Sequence, residues 1–286
     1  MKKSFTLIEI LVVIVVIGVL SAFILVGMSS ISSKANITKG QVFSNSMRNS
    51  LLLNLISEWK MDGNGNDSWG TNPGATSTTT TITSGCVKDS CLSFNGTDSY
   101  MQMADSQALR MTTGGTISTW IYPKTSGEGT LGRIIDKSTT TAGGNGYRLL
   151  TYTNNRIYFQ INEGTSLNTF INSMMYNQWQ LVTVIFNGSG RKIYVNGIDK
   201  TNTGGGETAL PPDVIGVVTI GNRANNTDYS YDGYIDEVSV YNTVFSTSQI
   251  QEKYYSGLNR LLSNNSINKE EFIERISLLR SFVGEN

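Results

Sequence analysis

The 286 residues contain no histidine, and this narrows the available chemistry before any fold is considered. Without it there is no Ser-His-Asp relay, no side chain poised by default to titrate near neutral pH, and no common zinc set. Asp236 and Glu237 are adjacent, so in a strand they face opposite ways and do not form a working pair. Asp236 shares a predicted strand face with Val238 and Val240, where a carboxylate needs turn amides, a basic side chain or a cation as partner. Gly143-Gly144-Asn145-Gly146 and Gly204-Gly205-Gly206 open no helix and lack a following Lys-Ser/Thr, so they read as loops and not phosphate cradles. Cys86 and Cys91, the only two cysteines, lie five apart. They are either two thiols or, as we prefer, a small disulfide loop closed outside the cytoplasm. Lys plus Arg and Asp plus Glu are both 22, so the charge balance gives no footprint for nucleic acid.

The elements that would position these groups begin with an apolar N-terminus. No charged residue falls between Glu9 and Lys34, a run longer than the about 20 residues needed to cross a bilayer. Lys2 and Lys3 precede it, which keeps the N-terminus cytoplasmic and sends the rest across. Ser21-Ala22 is a poor cleavage site for a secretory signal, and a plain signal anchor leaves Glu9, a costly carboxylate at the edge of the run, unexplained. The segment Lys2-Lys3-Ser4-Phe5-Thr6-Leu7-Ile8-Glu9 closely resembles the class III leader of type IV pilins and type II secretion pseudopilins.

That resemblance implies a prepilin peptidase cutting between Ser4 and Phe5 and methylating the new amine. It implies that Glu9 pairs with a subunit's N-terminal amine during assembly, with Ser4 standing where the family usually has Gly. The implied partners are the peptidase, other pilin subunits in a homo- or hetero-polymer, and the bacterial inner membrane before assembly. Residues 1–4 are then the leader and 5–57 a transmembrane and stalk helix. That stretch has no proline and only Gly18, Gly27 and Gly40, and as one helix it is roughly 80 Å long. Ala35, Val42, Leu52, Leu53 and Ile56 lie close to one face of its second half.

From Trp59 the pattern changes to period-two alternation broken by turn residues. Thr116–Tyr122, Arg156–Ile161, Trp179–Phe186, Arg191–Val195 and Tyr234–Tyr241 read as strands, with turn signals at Asn187-Gly188 and Asn196-Gly197. Thr76–Thr83 reads as an exposed low-complexity loop. No long helical pattern interrupts, so residues 58–257 are expected to form a two-sheet antiparallel sandwich, making the fold mainly β behind a long N-terminal helix. The ordered segments Leu92–Thr97, Thr116–Pro123, Trp179–Val184, Ile193–Gly197, Ile220–Arg223 and Asp232–Val238 are similar to the laminin-G or concanavalin A-like jelly roll.

This second resemblance implies a head that binds glycan or protein ligands. Glycosidases of the fold place paired carboxylates in a pattern such as Glu-x-Asp-x-x-Glu, and no Glu-x-Asp occurs anywhere, so no enzyme is expected. It further implies one structural calcium ion near the last strand, held by Asp236 with Asp67 and the carbonyl of Gly96 as candidate ligands. Trp120 and Trp179 are expected in the core, whereas Trp69, Tyr100, Tyr147, Tyr176 and Tyr229 lie nearer loops, where rings can stack on sugars.

Residues 258–286 are expected to form one short amphipathic helix. Asn268 caps it with Glu271 as partner, and Phe272, Ile276, Leu279 and Val283 share the face packed on the chain. The expected function is a filament subunit with an adhesive head. The alternatives are a minor pseudopilin of a secretion or DNA-uptake machine and a membrane-anchored, non-polymerising lectin-like protein.

Overall fold

The computed structural model describes Ser46, Asn49 and residues 51–139, 144–162, 166–203, 208–224 and 228–283. The leader, Ser4, Phe5, Glu9 and nearly all of the expected stalk helix lie outside the described residues. Strands follow in the order β1 (Leu55–Trp59), β2 (Gly74–Ser77), β3 (Thr80–Ile82), β4 (Cys91–Asn95), β5 (Tyr100–Met103), β6 (Gly115–Pro123), β7 (Arg133–Ser138) and β8 (Gly146–Tyr152). Then come β9 (Arg156–Ile161), β10 (Leu167–Thr169), β11 (Gln180–Asn187), β12 (Gly190–Val195), β13 (Ile198–Asp199), β14 (Thr201–Thr203), β15 (Val218–Ile220) and β16 (Asp232–Tyr241). Two helices close the chain, α1 (Thr247–Ser263) and α2 (Lys269–Val283).

The first sheet runs β13-β12-β11-β6-β16-β4-β3, with β1 also pairing β16. The second runs β14-β10-β9-β8-β7-β15-β5-β2. All strand pairings among the described residues are antiparallel, as expected for the sandwich. Inward positions of both sheets form one apolar core that includes Phe94, Ile121, Leu149, Phe159, Val184, Ile220 and Val240. Leu53–Asn286 makes up one compact unit.

Three boundaries differ from the expected ones. A strand, not helix, starts at Leu55: Leu51 and Leu52 are helical, a turn follows, and Leu55↔Tyr241 opens the β1–β16 ladder. The sandwich therefore begins before residue 58, and Ile56 packs against the core. The Thr76–Thr83 run is largely exposed but not irregular, since β2 ends and β3 forms within it, the end strands of the two sheets. The last segment holds two helices, and α1 begins inside the span assigned to the sandwich. It starts at a capping box in which the Ser246 Oγ accepts from Gln249 N while the Gln249 side chain accepts from Ser246 N. For α2, the expected cap holds, with Glu271 N donating to Asn268 Oδ1 at 2.8 Å.

Both helices and the loop closed by the Cys86–Cys91 disulfide cover the outer face of the first sheet. Trp120, Trp179, Leu181, Tyr254, Leu258, Leu261 and Leu279 form a second buried cluster there. Trp120 and Trp179 are thus buried as expected, but under the helices and not between the sheets. The Trp120 ring stacks on Tyr254 at 5.8 Å, and Trp179 Nε1 donates to Gly85 O at 2.6 Å.

Candidate ligand-binding face

With one outer face sealed by the chain's own helices, the other outer face becomes the candidate site. Leu149, Phe159, Ile220 and Met101 point into the core, so the alternate residues of their strands point outward. Strand register lines these up in rows across the second sheet. One row is Gln160, Arg148, Asp136, Thr219, Gln102 and Ala75. The next is Asn168, Tyr158, Leu150 and Arg133. A strand whose outer face met only solvent could carry any polar residue, but here Arg133, Asp136, Arg148 and Thr219 are nearly buried. Gln102, Tyr152, Tyr158 and Gln160 stand half-buried around them.

The charged groups at the centre are tightly placed. Asp136 Oδ1 accepts from Ser138 N at 2.8 Å and from Ser138 Oγ at 2.5 Å. Its Oδ2 lies 3.0 Å from Arg133 Nε without the alignment of a hydrogen bond, so neither atom has such a partner. Arg148 donates through Nε to Gln160 Oε1 at 3.0 Å and through Nη2 to Asn162 O at 3.1 Å. From the loop after β15, Arg223 Nη1 reaches both oxygens of Asp228, at 3.2 and 3.1 Å. Between Arg133 and Arg223 sits the Tyr229 ring, with the two guanidinium carbons 5.3 and 5.2 Å from its centroid. Tyr229 holds this place at φ 64°, an uncommon region for a bulky residue. Its carbonyl accepts from Arg133 N at 2.9 Å.

Burial brings the Arg133 guanidinium down to about 10, with Asp136 opposing the shift and the like charges of Arg148 and Arg223 adding to it. Burial pushes Asp136 up, opposed by Arg133 and the Ser138 hydroxyl. Arg133 still stays cationic at neutral pH, so it and Arg148 both act on the buried Asp136, while Arg223 adds its charge beside Arg133. The half-buried tyrosine rings and glutamines around these groups are of the residue types that can stack on and hydrogen-bond to polyhydroxylated molecules.

The residues singled out from the sequence fall elsewhere, except Tyr229 and Tyr100, which alternates with Met101 and so shares the outward side of β5 with Gln102. Cys86 and Cys91 do form the disulfide, 5.6 Å between Cα atoms. Asp67 belongs to the loop after β1, where Oδ1 accepts from the amides of Glu58, Trp69 and Gly70 and Oδ2 from that of Asn72. Burial would raise its pKa, but these amides outweigh it and hold it below the usual value. Gly96 turns between β4 and β5, at φ 72° against Asp232. Asp236 is not on the core side. Glu237, at φ 49°, forms a bulge in β16, so Asp236 pairs with Trp120 on the helix-covered face while Val238 and Val240 remain inward. There Asp236 Oδ2 accepts from Val87 N at 2.9 Å and Lys88 N at 3.1 Å.

Asp67, Gly96 and Asp236 thus serve three separate stretches of backbone, and this donor set does not assemble a calcium cage. Among the described residues no group of three or more Asp, Glu or Cys stands ready for a metal. Tyr147 is likewise a core residue, its hydroxyl donating to Leu109 O at 2.9 Å. Arg133, Arg148 and Arg223 are far apart in a chain of zero net charge and form no contiguous basic motif. The signal was there in the alternation of Arg148 against Tyr147 and Leu149, and of Asp136 against Ile135.

A fold of two antiparallel sheets with one polar outer face defines a lectin-like jelly roll, and comparison with known proteins agrees. Residues 95–251, more than half of the chain, match the concanavalin A-like lectin/glucanases superfamily, and the chain belongs to it. Residues 1–25 match the prokaryotic N-terminal methylation motif, so a pilin-type N-terminus precedes the domain. No curated protein matches.

Among solved structures, domain 4 of AbnA, a GH43 extracellular arabinanase from Geobacillus stearothermophilus in complex with arabinotriose, is 16% identical at a TM-score of 0.52, over 70% of this chain and 97% of that one. The binding domain of botulinum neurotoxin serotype D is 14% identical at 0.56, over 74% and 53%. The binding domain of Paraclostridial Mosquitocidal Protein 1 is 12% identical at 0.56, over 73% and 53%. The chain spans about half the length of the toxin domains it matches, and at these identities the likeness is one of fold.

Proposed function

We propose that this chain is a subunit of a type IV pilus-like filament at the bacterial surface, whose lectin-like head binds glycan on the outer face of the second sheet without hydrolysing it. The observation that carries the binding part is the contrast between the two outer faces. Helices and a disulfide loop seal one, and the other presents ordered rows of arginine, glutamine and tyrosine. Its neighbour AbnA domain 4, caught with arabinotriose, lends the fold a precedent for sugar. The filament part rests on the N-terminal methylation motif, with Phe5 as the first mature residue and Glu9 neutralising a neighbour's amine. Within the described residues no helix is long and apolar enough to cross a membrane. The anchor in this proposal is the apolar N-terminal run.

Peptide mass spectrometry of sheared surface material tests the filament. The expected product is an N-terminal peptide starting at methylated Phe5. A chain that still starts at Met1 and is found only in membranes would leave a tethered lectin-like protein and no filament.

A further inference from the structure

We infer that the β11–β12 hairpin carries a self-modification site, where the Asn187 side-chain amide closes onto the Gly188 backbone nitrogen and is converted, with water, to aspartate and isoaspartate. Asn followed by Gly suits this ring closure because no Cβ stands beside the attacking nitrogen. The sequence holds five such pairs, Asn64-Gly65, Asn95-Gly96, Asn145-Gly146, Asn187-Gly188 and Asn196-Gly197. Folding disarms four of them. Gly65 is buried, its carbonyl accepts from Gly74 N at 2.7 Å, and Asn64 Nδ2 donates to Asp62 O at 3.3 Å. The Asn95 side chain accepts from the amides of Thr97, Asp98 and Ser99 and donates to Asp98 Oδ1 at 2.7 Å, which holds both of its ends. Gly146 N, the nitrogen that would attack Asn145, donates instead to Asn162 Oδ1 at 3.0 Å. Asn196 Oδ1 accepts from Leu181 N at 3.0 Å, and a Cβ built on Gly197 would fall 3.0 Å from Leu279 Cδ1.

Asn187-Gly188 is free of these restraints. Gly188 is exposed at the hairpin tip, and a Cβ built on it would have nothing within 4 Å. Asn187 Nδ2, the leaving group, has no hydrogen-bond partner among the described residues. The one hydrogen bond the side chain makes favours the reaction. Ser189 N donates to Asn187 Oδ1 at 2.8 Å, which polarises the Cγ carbonyl and steadies the charge its oxygen takes on under attack. Water is the only co-reactant needed. The Gly188 nitrogen bonds to Asn187 Cγ, its proton passes to the departing amide, and ammonia leaves behind a cyclic succinimide. Water then opens the ring at either carbonyl, and opening at the backbone carbonyl reroutes the chain through Cγ as isoaspartate. Each event replaces a neutral amide by a carboxylate. In a chain whose charges sum to zero, net charge then records the time since folding.

The test ages the full-length chain in detergent at acidic and at alkaline pH, beside a denatured sample, and reads every Asn-Gly pair by peptide mass spectrometry. In the folded chain Asn187 is expected to convert ahead of the other four, faster at alkaline pH, as a mixture of aspartate and isoaspartate. In the denatured chain that lead should vanish, because the restraints on the other pairs are gone. Gly188→Ala fits the open space and the negative φ of Gly188, so it should slow conversion several-fold without moving the melting temperature. An Asn187 that stays an amide while another pair converts would overturn the inference. So would a Gly188→Ala chain that converts as fast as the native one, or a lead for Asn187 that is as large unfolded as folded.

Discussion

Asp236 shows how one buried side chain joins distant parts of this fold. One of its oxygens accepts two amide bonds from the disulfide loop, and the other has no partner. Burial pushes its pKa well above the usual carboxylate value, the charge of Glu237 adds to that, and the Lys88 and Val87 amides oppose it. The sign of the linkage follows. Below the unfolded value of 3.8 both states hold the proton, and Asp236 contributes no pH dependence. As pH rises above that value the unfolded chain gives up its proton first, so stability falls until the raised folded value is passed. Asp236→Asn keeps an oxygen for the two amides and cannot ionise. We expect its melting temperature to equal or exceed that of the native chain at pH 7, with the advantage vanishing toward pH 4. A deficit at pH 7 that disappears on acidification would mean that Asp236 is ionised in the fold.

At the scale of elements, the decisive contact is between α1 and β6. Gly257 lies against Trp120, and a Cβ built there would fall 2.2 Å from Trp120 Cζ2. An alanine normally gains about 1 kcal/mol over glycine inside a helix. Here the Trp120 ring is pinned by Tyr254 and cannot swing away, so overpacking at about 1–3 kcal/mol should win. Gly257→Ala is expected to lower stability in denaturant melts, and adding Trp120→Leu should recover part of the loss. A stabilised single variant would show that the helix is free to shift on the sheet.

The strands were legible because alternation and turn chemistry agree. Asn196-Gly197, both at positive φ, close β12 onto β13, and the β11–β12 hairpin turns just after Asn187. Missed was α1, although Ser246 and Gln249 spell a capping box, because Tyr254, Tyr255 and Gly257 resemble a strand running into a turn. The face of Asp236 was misread for a different reason. A bulge shifts the side-chain period by one, and nothing in the residue types marks Glu237 as the extra one. The arginine face escaped notice because a site assembled from β7, β8 and the loop after β15 has no contiguous motif.

For the molecule as a whole, the loop between Cys86 and Cys91 ties sheet to helices. Gly85 O receives Trp179 Nε1, Cys86 O receives Asn264 Nδ2 at the end of α1, and the Val87 and Lys88 amides hold Asp236. Closing so short a loop is worth about 2 kcal/mol in chain entropy alone. Cys86→Ser with Cys91→Ser is therefore expected to cost at least that in a thermal melt, and reductant should have the same effect on the native chain. An unchanged melt would mean that the hydrogen bonds alone fix the loop.

The pairing of β1 also has a mechanical meaning. β1 is where the chain leaves the N-terminal segment, and it joins β16, which has β6 on its other side and β4 farther along the same edge as β1. A pull on that segment therefore loads β1, whose one ladder is to β16, and passes from there to the strand that also carries β6 and β4. The arginine face belongs to the other sheet. If the arginine face holds the ligand, as proposed, tension between ligand and N-terminal segment would cross from one sheet to the other through the core they share.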